Sequence, residues 1–298
     1  MFGMTLPHVN KCGVFCRIAV DGIKRCIMNR LIKIVFLLSF VFCSVSLSAQ
    51  ELKQAPAFKS GETLKCNLYF NWNFIWVKVG DATLTIRDTI YNGQKAKCMK
   101  LLSTTNKRAD SFFKMRDTLM TVFTDDCKPL YFRKASVEGK KYRLNQVWYR
   151  YLNDSKVNVS QYYRYNDEEP KCKEEVIDGP IYDMMSLLAY ARTLDFTSLK
   201  KGTRLTFPVA SGKRIEQQHL VYRGKKRTKS DEGKEYDCFR VSLITEEDGD
   251  EEEILNFHVT DDGNHLPILL DLALNFGSAK SRIYQMDGVL YPVTAIVK

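Results

Sequence analysis

Arg192 stands where an arginine is costly. At 100° per residue its helical angle places it beside Ile181, Met185 and Leu188, on an apolar stripe, and an unpaired guanidinium in apolar surroundings is expensive. Two chemistries suit it. One is a structural ion pair, with Asp195 three residues on as the nearest carboxylate; the other is an arginine at the floor of a cavity, gripping an anionic headgroup. A cation near a helix C-terminus is favoured in either case. A second group is aromatic: residues 142–165 hold Tyr142, Trp148, Tyr149, Tyr151, Tyr162, Tyr163 and Tyr165. Strand alternation puts Val147, Tyr149 and Tyr151 on one face and Trp148, Arg150 and Leu152 on the other. Cross-strand pairing is one use of such a band. Stacking on a sugar or an apolar ligand, with Trp148, Tyr149 and Tyr163 as contact residues, is the other. Trp72 and Trp76 pose the same choice.

Catalysis finds little footing. Beyond the N-terminal region the histidines are His219, His258 and His265, and no HExxH, GxSxG or glycine-rich phosphate loop occurs. His258 and His265 bracket Asp261-Asp262, a spacing that suits surface residues better than metal ligands. Residues 224–229 hold four basic side chains, and residues 246–253 hold seven acidic ones. Both read as solvated hairpin tips, and the acidic run lacks the alternating oxygen spacing of a calcium loop. The sequence therefore offers no catalytic residue, no metal site and no cofactor, and favours a non-enzyme.

Side chains such as these need elements to position them. Strand-like runs at 64–71, 81–89, 96–104, 119–124, 130–137, 142–152 and 156–165 are separated by turn signals such as Asn92-Gly93, Asp125-Asp126, Glu138-Gly139 and Asn153-Asp154. Seven more follow at 203–209, 216–223, 236–245, 254–259, 266–272, 278–285 and 290–297. Between the two sets, 181–195 carries the helical period, with Pro180 in its first turn and Asp178 or Gly179 as cap. Ile181, Met184, Met185 and Leu188 line one side; Asp183, Ser186, Tyr190 and Thr193 fall on the other. Tyr182, Leu187 and Leu194 broaden the apolar stripe, so the helix is expected to be largely buried. Tight connections dictate antiparallel pairing. About fourteen strands around one buried helix predict a mainly β fold, a strongly curved antiparallel sheet or barrel-like meander, because a flat sheet that wide curls or splits.

The N-terminal region gives an address. Asn29, Arg30 and Lys33 precede an apolar stretch at 34–47, and the small residues Ser46, Ser48 and Ala49 stand before Gln50, the pattern of a secretory signal peptide. The stretch is too short to span a bilayer. The expectation is initiation at Met28, residues 1–49 as an upstream extension plus a signal peptide cleaved near Ser48-Ala49-Gln50, and one exported, periplasmic β domain over 50–298 without a transmembrane segment. Phe42 beside Cys43 argues against a lipoprotein. Six basic residues and one acidic residue lie in 1–49, so 39 basic and 34 acidic remain, near +5 rather than the +10 of the whole chain. That balance does not suggest nucleic acid. Cys66, Cys98, Cys127, Cys172 and Cys238 remain, widely spaced, and are expected to be mostly unpaired thiols with at most one or two bridges.

Several short motifs carry a likeness. They are Phe58-x-x-Gly61-Glu62-x-Leu64, Gly80-x-Ala82-x-Leu84, Asp183-x-x-Ser186-x-Leu188-x-Tyr190-x-Arg192, Gly202 with the strand that follows it, and Leu266-Pro267 after Asp261-Asp262-Gly263. Over roughly 57–285 the chain resembles the DUF3108 domain proteins, exported proteins of Gram-negative bacteria without an assigned activity. The resemblance implies a β-rich periplasmic domain in which Gly61, Glu62, Gly80 and Pro267 are structural, and Asp195 joins them as a structural residue beside Arg192. A curved sheet wrapping a helix also resembles lipoprotein carriers. On that analogy the expected role is a non-catalytic binder or carrier of a lipid-like or amphipathic envelope component. The alternatives are a structural or assembly protein of the envelope, or a glycan-binding or glycan-active protein. An apolar cavity beside helix 181–195 would mark the carrier.

Overall fold

The computed structural model describes residues 57–72, 75–247, 250–274 and 277–297. The export signal, Met28, Cys43 and the side chain of Trp72 lie outside the described residues. The first eight strands are β1 (Thr63–Trp72), β2 (Ile75–Tyr91), β3 (Gln94–Thr105), β4 (Met115–Phe123), β5 (Pro129–Glu138), β6 (Lys141–Asn153), β7 (Lys156–Tyr165) and β8 (Lys171–Asp178). A single turn, α1 (Lys107–Asp110), lies between β3 and β4, and α2 (Met184–Arg192) follows β8. The second set is β9 (Arg204–Ala210), β10 (Ile215–Lys229), β11 (Glu235–Glu247), β12 (Asp250–Thr260), β13 (Pro267–Leu274) and β14 (Gly277–Asp287).

All fourteen strands form one antiparallel meander in the order β8 down to β1, then β14 down to β9. β1 and β14, the chain's first and last strands, pair at its centre. The two edges, β8 and β9, are consecutive in sequence and joined through α2. The sheet curls without closing its ladder. Tyr182, just before α2, makes an isolated parallel bridge to Val209 of β9. The β9–β10 turn reaches β6 and β7, where Asn145 Nδ2 donates to Ser211 O (2.8 Å) and Gly212 N to Gln161 Oε1 (3.1 Å). Gly212 has φ +86°, and a Cβ there would stand 2.8 Å from that of Asn145, so the contact requires glycine. At Gly80 an added Cβ would lie 2.0 Å from Thr104 O, so β2 and β3 approach too closely for a side chain.

Alternation along the strands fills the interior. Ala82, Leu84 and Ile86 of β2, Val147 and Tyr149 of β6, and Phe239, Val241 and Leu243 of β11 are buried, while Trp148 and Leu152 stand on the exposed face. The helix differs from expectation at its start. Its N-cap is Asp183, whose carboxylate accepts from Met185 N (2.8 Å) and Ser186 N (2.9 Å), with Ser186 Oγ closing a capping box. The stripe at 181–195 therefore yields a shorter helix, and Ile181 and Tyr182 belong to its extended approach. The face expected to be polar is buried as well: Asp183, Ser186, Tyr190 and Thr193 are all inside, because Asp183 also receives Thr121 Oγ1 of β4 (2.8 Å).

Two strand assignments change. β8 has the sequence KCKEEVID and is mostly exposed. It is held by pairing with β7 along one side, so no buried face imposes an alternating pattern. Residues 290–297 show no such ladder. They make a single bridge, Tyr236 to Ile296, and pack Val293 against the core, the sheet's interior positions being taken already. The five cysteines expected to persist are all thiols; burial pushes Cys66 up to about 11 and Cys238 up to about 12.

Candidate functional site

Arg192 ends α2, and its partner is Glu62, at the entry to β1, rather than Asp195. Nη1 lies 2.6 Å from Glu62 Oε1 and Nη2 3.0 Å from Oε2, a bidentate pair with both side chains buried. Nε and Nη2 also donate to Asn264 O (3.2 and 2.9 Å), and Nη2 to Ala57 O (3.2 Å). The guanidinium lies over the Phe58 ring at 5.2 Å, and His265 Nδ1 meets Arg192 O at 2.6 Å. Asp195 folds into its own turn, accepting from Thr197 N and Oγ1, bonds that hold its carboxyl below the usual range. The motifs 58–64, 183–192 and 261–267 thus converge on one buried ion pair. Beside it the helix leaves a cavity of only about 30 Å³, lined by Met184, Leu188, Ala191 and Phe196 with strands β10–β12. Ligand pockets run to roughly 300–1,000 Å³.

The aromatic candidates do not meet. Trp148 lies on the exposed face, its ring 5.7 Å from Tyr131, which in turn stacks on Tyr91 at 6.2 Å. Tyr149 points the other way, buried, with no hydrogen-bond partner for its hydroxyl among the described residues; desolvation raises its phenol well above the usual value. Tyr163 sits beneath the β9–β10 turn, with Lys213 Nζ 5.7 Å from its ring. Among the described residues no three His, Cys, Asp or Glu side chains converge as a metal site.

A larger concavity lies elsewhere, on the face of β10–β14 that points away from the core. β10 bulges between Tyr222 and Gly224, and the β10–β11 hairpin beyond it bends over its neighbours. The tip is fastened by Asp231: its carboxylate receives Tyr69 OH (2.6 Å) and Asn67 Nδ2, and its backbone N–H donates to Ile283 O (2.9 Å). Beneath run two cross-strand rows, Arg240–His258–Leu269–Arg282 and Ser242–Asn256–Asp271–Lys280. Together these surfaces enclose an open cleft of about 470 Å³.

Seven Lys and Arg side chains line it against two carboxylates, Glu253 and Asp271. Arg223 pairs with Glu253 (3.1 Å), Lys280 with Asp271 (3.6 Å), Arg227 with Asp237 (3.3 Å) and Lys229 with Glu235 (3.4 Å). Lys226, Arg240 and Arg282 have no carboxylate in ion-pair reach among the described residues; Arg282 donates only to Lys229 O (3.3 Å). His258 registers the resulting field. Burial, then Lys226, Arg240, Arg282 and Lys280, hold it down at about 4, so it is neutral at pH 7, with Nδ1 2.7 Å from Thr228 Oγ1. A cluster of unneutralised cations around hydroxyl and amide groups can hold an anion. An imidazole depressed so far is a weak general base.

Sequence reasoning missed this cleft. It saw residues 224–229 as a solvated tip and passed over Arg240, Lys280 and Arg282. The available signal was the outward register of Lys280-x-Arg282, charged positions on a strand that reads as half buried.

A family model described as a protein of unknown function, DUF3108, matches residues 65–284. No curated protein matches the chain. Among solved structures, a β-barrel-like protein of the DUF1849 domain of unknown function from Brucella abortus aligns at 12% identity. The alignment covers 80% of this chain and all of that one, with a TM-score of 0.49. A protein described as exported, with a YmcC-like fold, from Bacteroides fragilis aligns at 8% identity over 79% of this chain and 99% of that one, with a TM-score of 0.31.

Proposed function

We propose, for a chain that belongs to the DUF3108 family of proteins of unknown function, a non-catalytic binding role: it is exported and holds an anionic envelope component in the cleft between β10 and β14. The observation that carries this reading is the excess of cations there, seven against Glu253 and Asp271, with Lys226 and Arg240 in no ion pair among the described residues. Charged groups left unpaired around a cleft are poised for a charged ligand. The ligand of this reading is defined by its negative charge rather than by an acyl chain, since the space beside α2 is about 30 Å³. Leu269 in the cleft wall gives an amphipathic ligand an apolar contact next to its charged group.

Native mass spectrometry of the protein recovered from the envelope of a Gram-negative host tests the proposal. The expected result is a co-purifying anionic species that is lost in the Lys226→Gln/Arg240→Gln double variant. Wild type recovered only at its own apo mass, with no added species, would sink it.

A glycan reading rests on one separate observation, the exposed Trp148 ring beside Tyr131, and predicts that a neutral sugar quenches Trp148 fluorescence. The assembly reading gains from the filled interior, yet the free edge β8 carries Lys171, Lys173, Glu174 and Glu175, charges that discourage strand addition.

A further inference from the structure

Large apolar side chains gather, exposed, on two neighbouring hairpin tips. Ile75, Trp76 and Val77 open β2, at 67%, 37% and 42% exposure, and Phe112 and Phe113 follow α1 at 81% and 46%. The two tips are joined. β2 and β3 pair up to Gly80 and Thr105, and Asn106 donates from its backbone to Val79 O (2.8 Å) and from its side chain to Lys78 O (3.3 Å).

The α1 loop is a built structure, not a frayed end. Asn106 caps it through Ala109 N (2.9 Å), and the backbone N–H groups of Phe112 and Phe113 donate to Ala109 O (2.9 and 2.8 Å). Both rings are therefore held outward at a fixed place. The loop's one acid, Asp110, is turned back to its base, where Arg116 and Thr105 bind it, and Arg116 holds its carboxyl down at about 2. The charges left around the two phenylalanines are Lys107, Arg108 and Lys114, none of which has an ion pair among the described residues.

We infer that these two tips dock on an anionic bilayer surface. Protruding apolar rings with a collar of cations match the order of the interface, where acyl chains lie beneath phosphate headgroups. Exposed apolar side chains beside three cations that have no ion pair among the described residues fit that surface through charge as well as apolarity. The inference rests on residues distinct from the cleft. Lys280, which lines the cleft, also stands over the Trp76 ring at 4.0 Å, so docking by the tips brings the cleft to the headgroup layer.

The test uses the full chain, expressed in and processed by a Gram-negative host, with Phe112→Trp as a local reporter. Vesicles are phosphatidylglycerol or phosphatidylcholine, each with and without brominated acyl chains. Docking predicts that the emission of the new tryptophan shifts to the blue and is quenched by bromolipid on phosphatidylglycerol alone. It also predicts that Phe112→Ser/Phe113→Ser weakens binding about tenfold or more with unchanged thermal unfolding, and that Lys107→Glu/Arg108→Glu weakens it in a salt-dependent way. An unshifted, unquenched reporter on bound protein overturns the inference, as does equal binding to both lipids or wild-type binding by the serine variant.

Discussion

Two buried or half-buried arginine clusters in this molecule bear comparison. At the end of α2, Arg192 commits every guanidinium nitrogen to Glu62, Asn264 or Ala57, beside a space of about 30 Å³. In the cleft outside β10–β14, Arg240 and Lys226 line about 470 Å³ and make no ion pair among the described residues. The first cluster is complete in the folded chain and ties together segments far apart in sequence. On the proposed reading, the second is completed by an anionic ligand. The two differ both in position relative to the core and in the tally of their partners.

The comparison breaks first at Arg192. Arg192→Met leaves Glu62 buried and unpaired, so urea denaturation should show a loss of about 3–5 kcal/mol. A loss within surface-mutation noise would mean that the pair is not structural. Folded variant protein should bind anions in the cleft as wild type does.

A pH titration sharpens the other side. His258 is held at about 4 when folded against 6.5 when unfolded, so between those values the unfolded chain binds more protons. This contribution to stability is complete above pH 6.5 and is lost as pH falls toward 4, by up to about 3 kcal/mol. His258→Gln should flatten that slope. Pyrophosphate should reduce it only in part, because burial depresses the imidazole most and the neighbouring cations that the anion neutralises come second. A slope unchanged in the variant would place its origin elsewhere.

Smaller effects follow in the cleft. Arg240→Gln should weaken pyrophosphate binding about tenfold, close to 1.4 kcal/mol, while changing stability by no more than about 0.5 kcal/mol. Trp148→Ala, on a different part of the outer face, should leave pyrophosphate binding unchanged; a loss there would extend the site to the aromatic band.

The fold class was legible because period-2 alternation and turn residues are local. Thirteen of the observed strands and the helix fall where those signals stand. β8 was not legible, because an edge strand solvated on both faces carries no alternation, and 290–297 shows that alternation without a free partner makes no ladder. The buried ion pair was half legible: the helical angle of Arg192 exposed its need for a partner, but Glu62 lies 130 residues away and proximity favoured Asp195. The cleft depends on a hairpin folded over its neighbours by Asp231, a contact that no local pattern announces.

The central claim is that the unpaired cations are a binding site, and calorimetric titration of pyrophosphate into wild type and into Lys226→Gln/Arg240→Gln tests it most directly. The account predicts saturable binding by wild type that weakens with salt, and at least about tenfold weaker binding by the double variant. Equal binding by the two proteins, or none by wild type at low salt, would contradict it.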